Sequence, residues 1–176
     1  MCIRDRFTGV RGGVATVQGL ALAAGKPCAG FSSLALLAMN FPLSSHPVCP
    51  LLDARKSEVY AALYDCSAAI PVPLLCDCVM TPVALIDRII STTDKAVVFA
   101  GEGALRYSDL IAERMADRAI LAPFPFHTAH AANAALLALG MFSRGECLEP
   151  FQLLPVYLRA SDAEINRTTA NRTPNS

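Results

Sequence analysis

The sequence predicts an α/β protein whose larger part is a mixed sheet flanked by helices, and two observations carry that expectation. Between residues 47 and 66, two apolar or aromatic runs, Pro47-Val-Cys-Pro-Leu-Leu-Asp and Glu58-Val-Tyr-Ala-Ala-Leu-Tyr-Asp, enclose the polar segment Ala54-Arg-Lys-Ser. That is the pattern of an antiparallel hairpin. From residue 72 onward, strand-like segments alternate with helix-like ones, the order of β-α-β units with parallel strands. A hairpin feeding such units makes the sheet mixed.

Each element has its own local signal. Residues 9–24 read as a helix, with Gly25 at the position where only glycine enters the left-handed region cheaply and Pro27 beyond it. Cys28 to Phe31 reads as a short buried strand. Ser32 and Ser33 offer an N-cap hydroxyl to a helix over 34–39, which Asn40 and Pro42 end. After the hairpin a third strand covers about 72–79. Thr81-Pro82 then supplies an N-cap and a proline at the first helical position, opening a helix to about 91. A strand at 96–100, a helix near 106–116, a strand at 118–122 and a helix at 128–143 complete the order. Residues 160–176 hold too few apolar residues to pack and read as a disordered tail.

Composition bounds the function. With 53% hydrophobic and 17% charged residues in 176, a core of ordinary size is available. Fifteen Lys plus Arg balance fifteen Asp plus Glu, so no overall field steers the chain onto nucleic acid or an anionic membrane. The seven cysteines are scattered, several of them in apolar runs, and read as small hydrophobes of a reducing compartment. No signal peptide is recognisable, and the longest apolar stretches, near 131–142, fall short of the roughly 18 residues a spanning helix needs. The expected location is cytoplasmic. The sequons at Asn166 and Asn171 are chance matches on that reading.

The 9–24 helix is unusual because, between Gly12 and Leu52, Lys26 is the single charged residue. A helix apolar or small nearly all round is expected to be buried on more than one side. Arg11 and Gln18 share a stripe with Val14, Ala15 and Leu22, while Gly13, Val17, Leu20 and Ala24 form the opposite one. One stripe can face the sheet. The other, with Arg11, Val14, Ala15, Gln18 and Leu22, is the candidate interface for another subunit, or for a further part of the same domain.

Four blocks carry a resemblance to a known family: Phe7-Thr-Gly-Val-Arg-Gly-Gly-Val-Ala-Thr-Val-Gln-Gly-Leu-Ala, Gly30-Phe-Ser-Ser-Leu, Leu52-Asp-Ala-Arg-Lys-Ser-Glu-Val-Tyr-Ala and Pro155-Val-Tyr-Leu-Arg. Their content and order, over about 7–159, resemble the bacterial TsaB (YeaZ) family. The resemblance implies an actin-like ATPase (ribonuclease H-like) fold of two lobes. Residues 7–46 are then a remnant of an incomplete first lobe and 47–159 a second lobe. Family members carry some 60 residues before Phe-Thr-Gly, so the chain is expected to be N-terminally truncated, with 1–6 an unrelated leader. Gly12 departs from the family, which usually has an apolar residue there.

The resemblance also implies a role. TsaB proteins are partners of the catalytic subunit TsaD. With TsaE, the two transfer a threonylcarbamoyl group from threonylcarbamoyl-AMP to adenosine beside the tRNA anticodon, giving N6-threonylcarbamoyladenosine (t6A). The heterodimer forms through first-lobe helices, one of them matching 9–24 here. On this reading the chain contacts tRNA only indirectly, binds no cofactor or metal and is not itself catalytic.

Other residues offer chemistry of a different kind. The three-residue spacing of His127 and His130 would suit one face of a helix, but no third metal ligand sits at a recognisable spacing, and the expected reading is a helix start with no ligand role. Cys76 and Cys78 share one face of a strand without a second pair, and packing is the expected use. Gly101-Glu-Gly103 lies between strand and helix, where anions bind, yet lacks the remaining phosphate-loop residues and reads as a structural turn. At Asp53-Ala-Arg-Lys-Ser, nucleotide-binding relatives of the fold carry glycines; the side chains of Ala54 and Arg55 stand in the way of phosphates, and no ATP hydrolysis is expected. Asp53, Arg55 and Glu58 read as turn and ion-pair residues. Two alternatives to the partner-subunit reading remain: a metallopeptidase-like or hydrolase enzyme using His127 and His130, and a homodimer through the apolar helix.

Overall fold

A computed structural model describes residues 6–158, with side chains from Gly9 onward. The expected leader and tail, with Cys2, the two sequons and Arg159, lie outside those described residues, apart from Arg6. The chain begins with helix α1, Arg6–Ala24, which starts three residues earlier than the sequence pattern indicates. It ends as expected. Gly25 takes φ +60°, and the Lys26 N–H reaches back to the Ala21 carbonyl at 3.0 Å, closing a left-handed C-terminal cap.

The expected strand at 28–31 is reduced to one antiparallel bridge, Cys28 with Leu148. Gly30 lies under the side chains of Leu148 and Leu153, so this stretch is packed by loops, and no further pairing forms. Ser32 then caps α2, Ser33–Ala38, its hydroxyl accepting the Leu34 N–H.

Strands β1 (Val48–Arg55), β2 (Glu58–Asp65), β3 (Val72–Met80), β4 (Val97–Ala100) and β5 (Ala119–Leu121) form one sheet in the order β3-β2-β1-β4-β5. β1 pairs antiparallel with β2 and β2 with β3, while β4 runs parallel to β1 and to β5. The sheet is therefore mixed, as the hairpin followed by β-α-β units requires.

Both faces of the sheet are covered, and the two-residue period of a strand sorts side chains between them. Cys49, Leu51, Ala61, Leu63, Val97 and Phe99 point to one core with Leu85, Ile86 and Ile89 of helix α3 (Pro82–Thr92). Val48, Ala62, Tyr64, Val98 and Ala100 point to the other, with Leu34, Leu37 and Ala38 of α2. The first core also takes Ala104 of α4 (Glu102–Arg106) and Ile111 and Met115 of α5 (Ser108–Met115). The sequence reads one helix near 106–116. Instead two helices meet at Tyr107, whose backbone (φ −110°, ψ 22°) leaves helical geometry while its ring packs against the core.

The last helix, α6 (Ala131–Ser143), begins three residues later than the pattern indicates. Residues 123–128 are used otherwise: the Phe126 N–H bonds the Pro123 carbonyl, the Thr128 N–H bonds that of Pro125, and Asn40 Nδ2 donates to the carbonyls of Phe126 and Thr128. Among the described residues no helix is long and apolar enough to cross a membrane.

Candidate partner interface

Helix α1 departs most from its expected environment. Neither stripe faces the sheet, and the helix is not buried on more than one side. Val14, Gln18 and Ala21, on one line at helical spacing, are half-buried, whereas Val10, Val17, Leu20 and Leu22 are exposed, Leu20 by 67% and Leu22 by 64%. What α1 does touch is the chain's own C-terminal stretch. After α6, the chain bridges Cys28 through Leu148, makes a 3-10 turn at Pro150–Gln152 and runs extended along α1 from Leu153. We call residues 153–157 the strap.

Two polar side chains of α1 fasten the strap. Gln18 Nε2 donates to the Leu153 carbonyl at 2.9 Å, and Arg11 Nε donates to the Tyr157 hydroxyl at 2.9 Å. The Arg11 guanidinium also lies 5.6 Å from the centroid of the Tyr157 ring, within cation–π range. Leu153 itself is buried, and the space it enters exists because residue 30 is a glycine: a Cβ there stands 2.9 Å from the Leu153 side chain.

Between helix and strap lies an open groove of about 360 Å³, lined by Arg11, Val14, Ala15, Gln18, Leu154, Pro155 and Tyr157. Four of the five candidate interface residues thus line one concavity. Leu22 does not. Sequence reasoning assigned no contact to Leu153, Leu154, Pro155 or Tyr157, although Pro155-Val-Tyr-Leu-Arg stood out as a block; the absence of charge from Pro150 to Leu158 was the available signal.

The other candidates fall apart spatially. His127 and His130 do not share a helix face, because both precede α6: His130 is exposed at its N-cap position, while His127 is buried. Its ring is held by main chain at both nitrogens. Nδ1 lies 3.0 Å from the Gly101 main-chain nitrogen and 3.2 Å from the Gly101 carbonyl oxygen, and Nε2 lies 2.6 Å from the Ala122 carbonyl oxygen, so main-chain groups occupy both nitrogens. Among the described residues no group of three His, Cys, Asp or Glu side chains is placed to hold a metal.

The Gly101-Glu-Gly103 turn has a packing reason. Gly101 takes φ +103°, and a Cβ there falls 2.2 Å from the Leu51 carbonyl oxygen. Its amide is occupied by His127. At the β1–β2 turn, Arg55, Lys56 and Ser57 all have positive φ, a conformation costly for residues with side chains. Asp53 anchors this turn: its Oδ1 accepts the Arg55 N–H at 3.0 Å and its Oδ2 pairs with Arg106 at 2.7 Å.

Of the cysteines, Cys28, Cys49 and Cys66 are buried, Cys78 is half-buried, and Cys76 and Cys147 are exposed. Burial pushes the Cys66 thiol up to about 12, with a smaller contribution from Asp65, and raises that of Cys49 well above its ordinary value. These thiols are packing groups. A cluster that sequence reasoning missed joins α2 to β3: Asp77 accepts hydrogen bonds from the Ser32 and Tyr64 hydroxyls, the latter at 2.9 Å.

Comparison with known proteins agrees with this architecture. A family described as "TsaD: tRNA N6-adenosine threonylcarbamoyltransferase" matches residues 6–167. The "tRNA threonylcarbamoyladenosine biosynthesis protein TsaB" of Bacillus subtilis is 27% identical over 160 residues, covering 90% of this chain and 67% of that protein. Two solved structures from Pseudomonas aeruginosa are similar. One, described as an uncharacterized protein with similarity to peptidase YEAZ, has a TM-score of 0.71 at 33% identity, covering 87% of this chain and 68% of its own. The other, YeaZ, has a TM-score of 0.69 at 31% identity, covering 86% and 69%.

Proposed function

Because the chain belongs to the TsaB (YeaZ) family, within the wider TsaD family, and has the actin-like ATPase (ribonuclease H-like) fold, we propose that it is a partner subunit in tRNA t6A biosynthesis. It acts by heterodimerising with a TsaD-type enzyme, not by chemistry of its own. Residues 7–46 belong to the first lobe and 47–159 to the second. A TsaE-type ATPase joins the larger assembly, tRNA is contacted only indirectly, and the setting is the cytoplasm.

The observation that carries this reading is the state of α1. An apolar helix with one charged residue between Phe7 and Gly25, mostly uncovered, and a groove lined by Arg11, Val14, Ala15 and Gln18 make a surface for another protein. The hydrolase reading is not favoured, since both ring nitrogens of His127 are committed to main-chain groups and His130 lies exposed apart from it. The test is reconstitution. A TsaD-type and a TsaE-type subunit, with tRNA, ATP and threonylcarbamoyl-AMP, are expected to form t6A only when this chain is added. Modification at an equal rate without it contradicts the proposal.

A further inference from the structure

We infer that the docking surface is composite: the strap supplies one wall of it, with Leu154 and Tyr157 contacting the TsaD-type partner in the same groove as Val14 and Gln18. This rests on the partner-subunit reading above and deepens it.

The strap is held rigidly enough to present side chains. Five residues before it, Cys28 and Leu148 exchange two main-chain hydrogen bonds, of 2.7 and 2.8 Å, and at its start Leu153 is buried over Gly30. Along its length Gln18 and Arg11 bond it to the helix. So anchored, it leaves Leu154 67% exposed on the groove wall, with Pro155 and Tyr157 beside it. A loop fixed by its own fold loses little conformational entropy when a partner covers it.

Charge selects the occupant. From Phe7 to Leu52 the sequence has Arg11 and Lys26 and no carboxylate, and from Pro150 to Leu158 it has no charge at all. A polyanion needs several cations along its path, and among the described residues that line the groove Arg11 is the one cation. A basic surface needs carboxylates, which the groove walls lack. What fits is an apolar stripe of a protein helix. Nucleic acid is the wrong class of occupant here.

The test is a calorimetric titration of the full chain with the TsaD-type subunit of the same source, using Leu154→Asp, Leu154→Ala, Val14→Asp and, on the opposite stripe, Val17→Asp. Leu154→Asp and Val14→Asp are each expected to raise Kd at least about tenfold, Leu154→Ala less, and Val17→Asp less than about twofold. Thermal midpoints of the Leu154 and Val17 variants should stay near wild type, because both residues are exposed. If Val14→Asp weakens binding and both Leu154 variants leave it unchanged, the helix docks alone: the inference fails and the partner reading survives. Tighter binding by Leu154→Asp makes the strap a cover over the site and also overturns the inference. If the wild-type chain does not bind, or forms only a homodimer that excess partner leaves intact, both fall together.

Discussion

His127 Nδ1 lies 3.0 Å from the Gly101 main-chain nitrogen, so an imidazole from the loop after β5 fills the place beyond β4 where a ligand would meet free amides. In open α/β sheets that region, outside the carboxyl ends of parallel strands, is where small molecules bind. Here the Gly101 amide is already spoken for by the chain's own side chain.

Replacing His127 by alanine therefore strips a buried N–H of its acceptor and a buried carbonyl of its donor. The expected cost is about 1–3 kcal/mol, read as a fall of several degrees in thermal midpoint. Metal analysis of the wild-type protein should show no stoichiometric zinc or iron. Metal lost specifically in His127→Ala or His130→Ala would revive the enzyme reading.

Two glycines separate close packing from tolerance. Gly101→Ala forces a Cβ to within 2.2 Å of the Leu51 carbonyl oxygen at a positive φ, and should prevent folding or lower stability by more than about 4 kcal/mol. Gly12→Ala meets nothing within 4 Å on an exposed helix and should stabilise by up to about 1 kcal/mol. Paired denaturation curves check both.

Thiol titration sets an alkaline limit. The folded state raises the pKa of Cys66 to about 12 and that of Cys49 well above 9.0, so the folded chain keeps protons that the unfolded chain releases. The stability they contribute is complete below about pH 9 and is lost as pH rises from there toward 12. Tyr64, raised by burial and by Asp77, acts in the same direction above pH 10. Unfolding monitored from pH 7 to 11 should show the decline. Alkylation at pH 8, mapped by peptide, should label Cys76 and Cys147 well before Cys49 and Cys66.

The Ser32–Asp77–Tyr64 cluster ties α2 to the edge of the sheet. Ser32→Ala removes both the cap of α2 and a bond to Asp77, and should cost about 1–2 kcal/mol. Tyr64→Phe should cost about 1 kcal/mol. If the two losses fail to add in a double mutant, the three residues act as one network.

The sheet was legible because its signals are local: the hairpin, the Thr81-Pro82 helix start and the unbroken apolar run Val97-Val-Phe-Ala each depend on a few neighbouring residues. What escaped depended on distant ones. Cys28–Phe31 looks like a strand until Leu148 and Leu153 are seen above Gly30, and His127 looks helical until Gly101 and Ala122 are seen on either side of its ring. The α1 stripe was readable from periodicity, yet its covering by residues 153–157 joins segments about 140 positions apart, which no spacing rule encodes.

The most direct measurement of the central claim is the mass, by light scattering coupled to size exclusion, of an equimolar mixture of this chain with a TsaD-type subunit from the same source. The account predicts one species at the summed mass of the two chains, dispersed by Val14→Asp. Two separate species at the masses of the free proteins, with the chain folded, would contradict it.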